Sequence, residues 1–199
     1  MKILNMYFSA TGNTAKVANT IGRVAEESGH HVDTVEAKKG LEVNFLDYDF
    51  IFIGSGVYHW LPGKPLMSLI GNACTAYRAK GKLPLNAPRR NHIKAVTYCT
   101  YGGTHTGINE AYPTTLWLKQ FFDHLGIEVM NSWHIVGEFH GKLKELSLGG
   151  RLGDIRNRPN EADLQEVAQM TEGILTGCSS EPLDAGKHGS AINDHADWC

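Results

Sequence analysis

No apolar run in this chain of 199 residues reaches the ~18 residues of a membrane span, so none is expected. An excess of positive charge is also lacking. Nineteen basic residues stand against 21 acidic ones, a net charge of −2, which argues against a nucleic-acid binder. There is no CxxC pair, and Cys74, Cys99, Cys178 and Cys199 lie far apart. They read as free thiols in a reducing cytoplasm, with two disulfides in a secreted protein as the alternative. The opening MKILNMYFSATGN has one Lys, a short apolar run and no small-residue cleavage site. It reads as a first strand, not a signal peptide. The common nucleotide and hydrolase motifs are missing too. None of the four Gly-Lys pairs is followed by Ser or Thr, and Gly54-Ser55-Gly56 meets His59 where a third Gly would stand. That excludes a Walker A loop and a GxGxxG fingerprint; GxSxG and HExxH are also absent.

What is present is a folded chain, 42% hydrophobic and 20% charged, of a length suited to one domain. Apolar runs alternate with amphipathic stretches. Ile3–Phe8, His31–Val35, Asp49–Gly54, Ile93–Cys99 and Ile127–Val136 read as strands. Val17, Ile21, Val24 and Ala25 recur at helical spacing; Pro65 and Pro113 open two further helices, and Asn160 with Asp163 caps a last one. Strands alternating with helices predict an α/β fold, a parallel sheet covered on both faces. Residues 1–176 are expected to form the domain, and 177–199, polar and rich in Gly, Ser, His and Asp, a C-terminal arm. His188, Asp194, His195 and Cys199 in that arm read as an unstructured tail, and no metal site is expected. Residues Phe139–Pro159 contain four Gly and no clear periodicity; a loop that long is expected to be functional or disordered.

The densest chemistry follows the first strand. Ser9-Ala10-Thr11-Gly12-Asn13-Thr14 places four hydroxyl or amide side chains at a helix start. The free N–H groups and positive dipole end there suit an anion. No Lys or Arg lies in the run, so neutral donors would hold a phosphate. Helix capping needs one such residue, and four exceed that need. Two more loops carry aromatics beside glycines: Gly56-Val57-Tyr58-His59-Trp60, and Thr100-Tyr101-Gly102-Gly103-Thr104. A planar ring takes stacking on its faces and backbone hydrogen bonds on its edge.

The SATGNT run resembles the phosphate loop of the flavodoxin family, and the order of elements over roughly residues 1–176 fits that family as well. The resemblance implies a three-layer α/β/α sandwich with a five-stranded parallel sheet in the order 2-1-3-4-5. It also implies FMN at the topological switch point, for which flavodoxin is itself a standard example. Ser9–Thr14 would bind the phosphate, and Gly56–Trp60 with Thr100–Thr104 the ring. The implied function is electron transfer between redox partner proteins, with an NAD(P)H-dependent quinone or flavin reductase as the alternative. No catalytic side chain is expected, because the cofactor carries the electron chemistry.

Charge is unevenly spread. Phe50 to Asn109 contains no Asp or Glu but seven basic residues. Most of these, from Arg78 to Lys94, are expected at the sheet end opposite the ring. The ring loops hold no carboxylate but two histidines, His59 and His105, and the long loop is basic, with Lys142, Lys144, Arg151, Arg156 and Arg158 against Glu145 and Asp154. Typical flavodoxins are acidic around the flavin, and this chain departs from that pattern.

Overall fold

A computed structural model of the protein describes residues 1–179. Five strands form one parallel sheet: β1 (Lys2–Phe8), β2 (His31–Glu36), β3 (Phe50–Gly56), β4 (Lys94–Tyr101) and β5 (Glu128–Val136). Their spatial order is β2-β1-β3-β4-β5. Helices α1 (Asn13–Glu27), α2 (Lys64–Ala79), α3 (Tyr112–Leu125) and α4 (Glu161–Ser179) cover the two faces.

The central strands are apolar along their whole length because both faces are covered. Phe50 and Phe52 pack with Val17 and Ile21 of α1 and Val167 of α4. Ile51 and Ile53, one position out of phase, pack with Leu66 of α2 and Phe122 of α3. This is the two-residue period of a strand divided between two cores. The chain from β2 to β3 crosses β1 without a full helix. Phe45 in its short 3₁₀ turn is fully buried, 4.9 Å from the Phe121 ring, and its N–H donates to the Tyr77 hydroxyl at 2.7 Å.

The expected cap of the last helix is present. Asp163 N–H donates to Asn160 Oδ1 at 3.2 Å, and Asn160 N–H donates to Asp163 Oδ2 at 2.8 Å. Helix α4 runs to Ser179, three residues past the expected end of the domain at 176; the rest of that arm, with its His, Asp and Cys residues, lies outside the described residues. Cys74 and Cys99 form no disulfide among the described residues. The long segment 139–159 is ordered, against the alternative of a structureless loop. It contains a 3₁₀ turn over Gly141–Ser147 and a bridge between Gly150 and Gly153. Helical periodicity could not reveal it, because polar hydrogen bonds, not an apolar stripe, hold it.

Candidate functional site

Strand order reverses between β1 and β3, and the loops leaving these strands meet there. After β1 the backbone turns at Gly12, whose φ of +94° favours glycine, and α1 begins at once with no side-chain cap. The N–H of Gly12 is taken by Ser9 Oγ at 3.1 Å and that of Ala10 by the Tyr58 hydroxyl at 3.0 Å. Thr11, Asn13, Thr14 and Ala15 N–H groups find no acceptor among the described residues. A Cβ built on Gly12 meets nothing within 4 Å, so the space beside the loop is open. Open donors, the positive end of a 15-residue helix and no acid in its first turn together form an anion cradle.

The side chains of that loop do not all behave as expected. Thr14 Oγ1 pairs with Thr100 Oγ1 at 2.7 Å, both buried. Asn13 Nδ2 donates to the Glu138 carbonyl at 2.8 Å, and His140 Nε2 lies 3.1 Å from Asn13 Oδ1. Burial is the reason: a buried hydroxyl or amide must find a partner inside the protein. Asn13 and Thr14 therefore brace the loop, Ser9 folds into it, and Thr11 alone is exposed without a partner.

After β3, Val57 N–H donates to the Thr100 carbonyl at 3.0 Å, joining the two ring-side segments. Tyr58 and Leu61 then pair across a two-residue turn. Its centre is His59 and Trp60, with φ of 51° and 66°. Two positive angles define a turn usually built from Asn-Gly, so non-glycine residues here hold strain. The turn leaves His59 exposed and Trp60 59% exposed, while Thr114 Oγ1 donates to the Trp60 carbonyl at 3.0 Å. Tyr58 turns inward against Phe8, ring centroids 5.7 Å apart, and burial pushes its phenol pKa up.

The β4 side corrects two expectations. Thr100 and Tyr101 belong to the strand, not to its loop. Tyr101 is only 7% exposed and packs with Cys99, Ala111, Val57 and Val136, so it offers no open ring face. The loop itself is not free of negative charge, because Glu110 folds back into it. Its Oε1 accepts from the N–H groups of His105 at 2.6 Å and Thr106 at 2.7 Å. Gly102 lies under the Phe139 ring, 2.1 Å from where a Cβ would stand, which leaves room for no side chain. Gly103 and Thr104 follow it.

Segment 139–158 forms a strap beside these loops. It is tied to the first by Asn13 and to the third by Arg151 N–H, which donates to the Thr104 carbonyl at 2.8 Å. Sequence reading missed these ties; partners so far apart in the chain leave no local signal. Within the strap Arg156 pairs with Asp154, holding that carboxyl down at about 2, and Arg158 pairs with Asp163. Lys142 and Arg151 make no ion pair among the described residues. As expected, the Arg78–Lys94 cluster sits at the other end of the sheet. Lys94 opens β4, and Arg90 Nε donates to the Leu125 carbonyl at the end of α3.

Residues 4–76 match a family profile described as Flavodoxin domain. A search of curated proteins finds no sequence match. Among solved structures the chain is similar to an archaeal flavodoxin at 17% identity and TM-score 0.60, over 90% of this chain and 99% of that one. It is similar to oxidised Flavodoxin 1 from Bacillus cereus at 14% identity and TM-score 0.62, over 88% and 98%. It also matches rubredoxin oxygen:oxidoreductase from Desulfovibrio gigas at 14% identity and TM-score 0.58, over 90% of this chain but 36% of that one. The chain thus has the flavodoxin-like fold over its described length and matches the flavodoxin-domain profile over residues 4–76.

Proposed function

We propose that the protein binds FMN noncovalently and passes electrons between protein partners. The observation that carries this reading is the set of four N–H groups, on Thr11, Asn13, Thr14 and Ala15, left open at the start of α1 beside the switch point. They suit a phosphate monoester held without a cation. Thr11 is placed to add a hydroxyl donor. Gly56–Trp60 and Gly102–Thr104 flank the position the ring would take, with Trp60 as the exposed aromatic and Thr100 and Tyr58 fixing the loops to one another. Bound FMN would supply the one- and two-electron chemistry. The protein's part is to hold the phosphate, shape the ring's surroundings and keep the Glu110 carboxylate fixed on that side by two N–H donors. A nearby anion opposes the build-up of negative charge on the ring, and His59 and His105 act in the other sense when protonated.

The alternative, an NAD(P)H-dependent reductase of quinone or flavin, is favoured by Lys142 and Arg151, cations without ion-pair partners among the described residues. One preparation tests both readings. Flavin fluorescence quenching is expected to show FMN bound at least about tenfold tighter than riboflavin, about 1.4 kcal/mol; equal binding refutes the cradle. NADH or NADPH is then added to the FMN-loaded protein. Bleaching by either alone identifies a reductase, and inertness until a reductase protein is supplied identifies a carrier.

A further inference from the structure

Leu143, Leu146, Leu148 and Leu152 of the strap are all exposed. Of the other exposed large hydrophobic side chains among the described residues, only Met1, Leu85 and Met130 lie away from this end of the sheet. A single exposed leucine means little, but an apolar patch concentrated at one end of a molecule does. The leucines do not anchor the strap. Its buried residues are Ser147, whose hydroxyl accepts from Phe139 N–H at 2.8 Å and whose carbonyl accepts from Ile155 N–H at 2.8 Å, and Ile155 itself. Leu143 and Leu146, three apart in a 3₁₀ turn, share one outer face.

The strap is also basic, with five Lys or Arg between Phe139 and Pro159 against Glu145 and Asp154. Asp154 is neutralised by Arg156 within the strap, whereas Lys142 and Arg151 have no ion-pair partner among the described residues. We propose that this strap is a docking surface for a protein partner whose contact face is acidic around an apolar centre. The proposal rests on the electron-carrier reading, and it names the class of partner. An apolar centre with a charged rim is the composition of a protein interface. The seven-residue 3₁₀ turn is too short for the long amphipathic helix that lies in a bilayer surface, and Glu145 would face anionic headgroups. Leu143, Leu146 and Leu148 lie between Lys142 and Arg151 in the chain, so basic and apolar contacts alternate along the strap. The ties to Asn13 and Thr104 hold the strap in place before any partner arrives, which lowers the ordering cost of association. The same ties put a docked partner beside the cofactor loops.

The test uses the isotope-labelled, FMN-loaded chain titrated with a strongly acidic ferredoxin as probe and followed by backbone amide shifts. Basic cytochrome c and phosphatidylglycerol vesicles serve as controls. The largest ferredoxin-induced shifts are expected between Lys142 and Leu152. Lys142→Glu with Arg151→Glu should weaken ferredoxin binding at least tenfold at low ionic strength, and the difference should shrink as salt rises. Leu143→Ser with Leu148→Ser should weaken it at all salt concentrations. FMN affinity, read by fluorescence in the same samples, should stay unchanged in both variants and so also reports that they fold. Absent shifts, shifts centred outside the strap, equal engagement of the strap by cytochrome c, or strap-dependent vesicle binding would overturn the proposal. Failure of FMN to bind would count against the proposed function instead; the flavin-free chain then decides docking by the same shifts.

Discussion

After β1, the backbone N–H groups are open and the side chains of Asn13 and Thr14 are tied into the protein. After β3, the backbone closes on itself between Tyr58 and Leu61, and the side chains of His59 and Trp60 face outward. The first loop is built to recognise through its main chain, the second through its side chains. Side-chain changes in the first loop should therefore act mostly on the scaffold, and those in the second on what is bound.

The largest effect is expected for Asn13→Ala. It leaves the Glu138 carbonyl and His140 without their shared partner and frees one end of the strap. Stability should fall by about 1–3 kcal/mol, read from urea midpoints at constant slope, and FMN and riboflavin affinities should fall together. A selective loss of FMN would instead make the Asn13 amide a phosphate ligand. Next comes Thr14→Val, which strands the buried Thr100 hydroxyl. It should cost about 1 kcal/mol of stability and keep the preference for FMN over riboflavin.

In the opposite loop, His59→Gly should stabilise the protein slightly. Relief of the positive φ, worth about 1–2 kcal/mol, is partly offset by the ~0.5–1 kcal/mol entropic cost of glycine. A marked loss of stability would show that the imidazole makes a contact that outweighs the strain. Smallest in stability is Thr11→Val, an exposed change expected to stay within about 0.5 kcal/mol. Its effect should appear only as weaker FMN binding, with riboflavin unaltered. No change in either ligand would assign the whole anion site to the backbone and sharpen the contrast between the loops.

The parts of this architecture governed by short-range periodicity were legible in the residue order. Strand β3, expected at Asp49–Gly54 and found at Phe50–Gly56, shows itself because a strand covered on both faces must be continuously apolar. Val17, Ile21, Val24 and Ala25 are all buried on α1, as their spacing requires. The Asn160–Asp163 cap is a local pattern and was equally plain. The phosphate loop was legible as a place but not in its division of labour. Whether Asn13 faces a ligand or the Glu138 carbonyl depends on a segment 125 residues away. The burial of Tyr101 was not legible, because an aromatic ring suits a cofactor and a core equally well and its packing against Ala111 and Val136 comes only from the fold. The fold-back of Glu110 left no signal, because adjacency in sequence does not reveal a side chain that reaches the N–H groups of residues four and five positions earlier.

The two ends of the strap are clasped, with Glu138 N–H donating to the Arg158 carbonyl at 2.8 Å. The strap is thus a loop closed at its neck, as Ω-loops are, but longer than they are. Changing its length alters the closure entropy only slowly, by about 0.6 kcal/mol for each doubling. The insert between those two residues can therefore be lengthened, shortened or exchanged while the sheet and the clasp stay as they are. A chain built this way can acquire a new recognition surface by replacing one cassette, so long as the replacement keeps the ties to Asn13 and Thr104 and the buried Ile155.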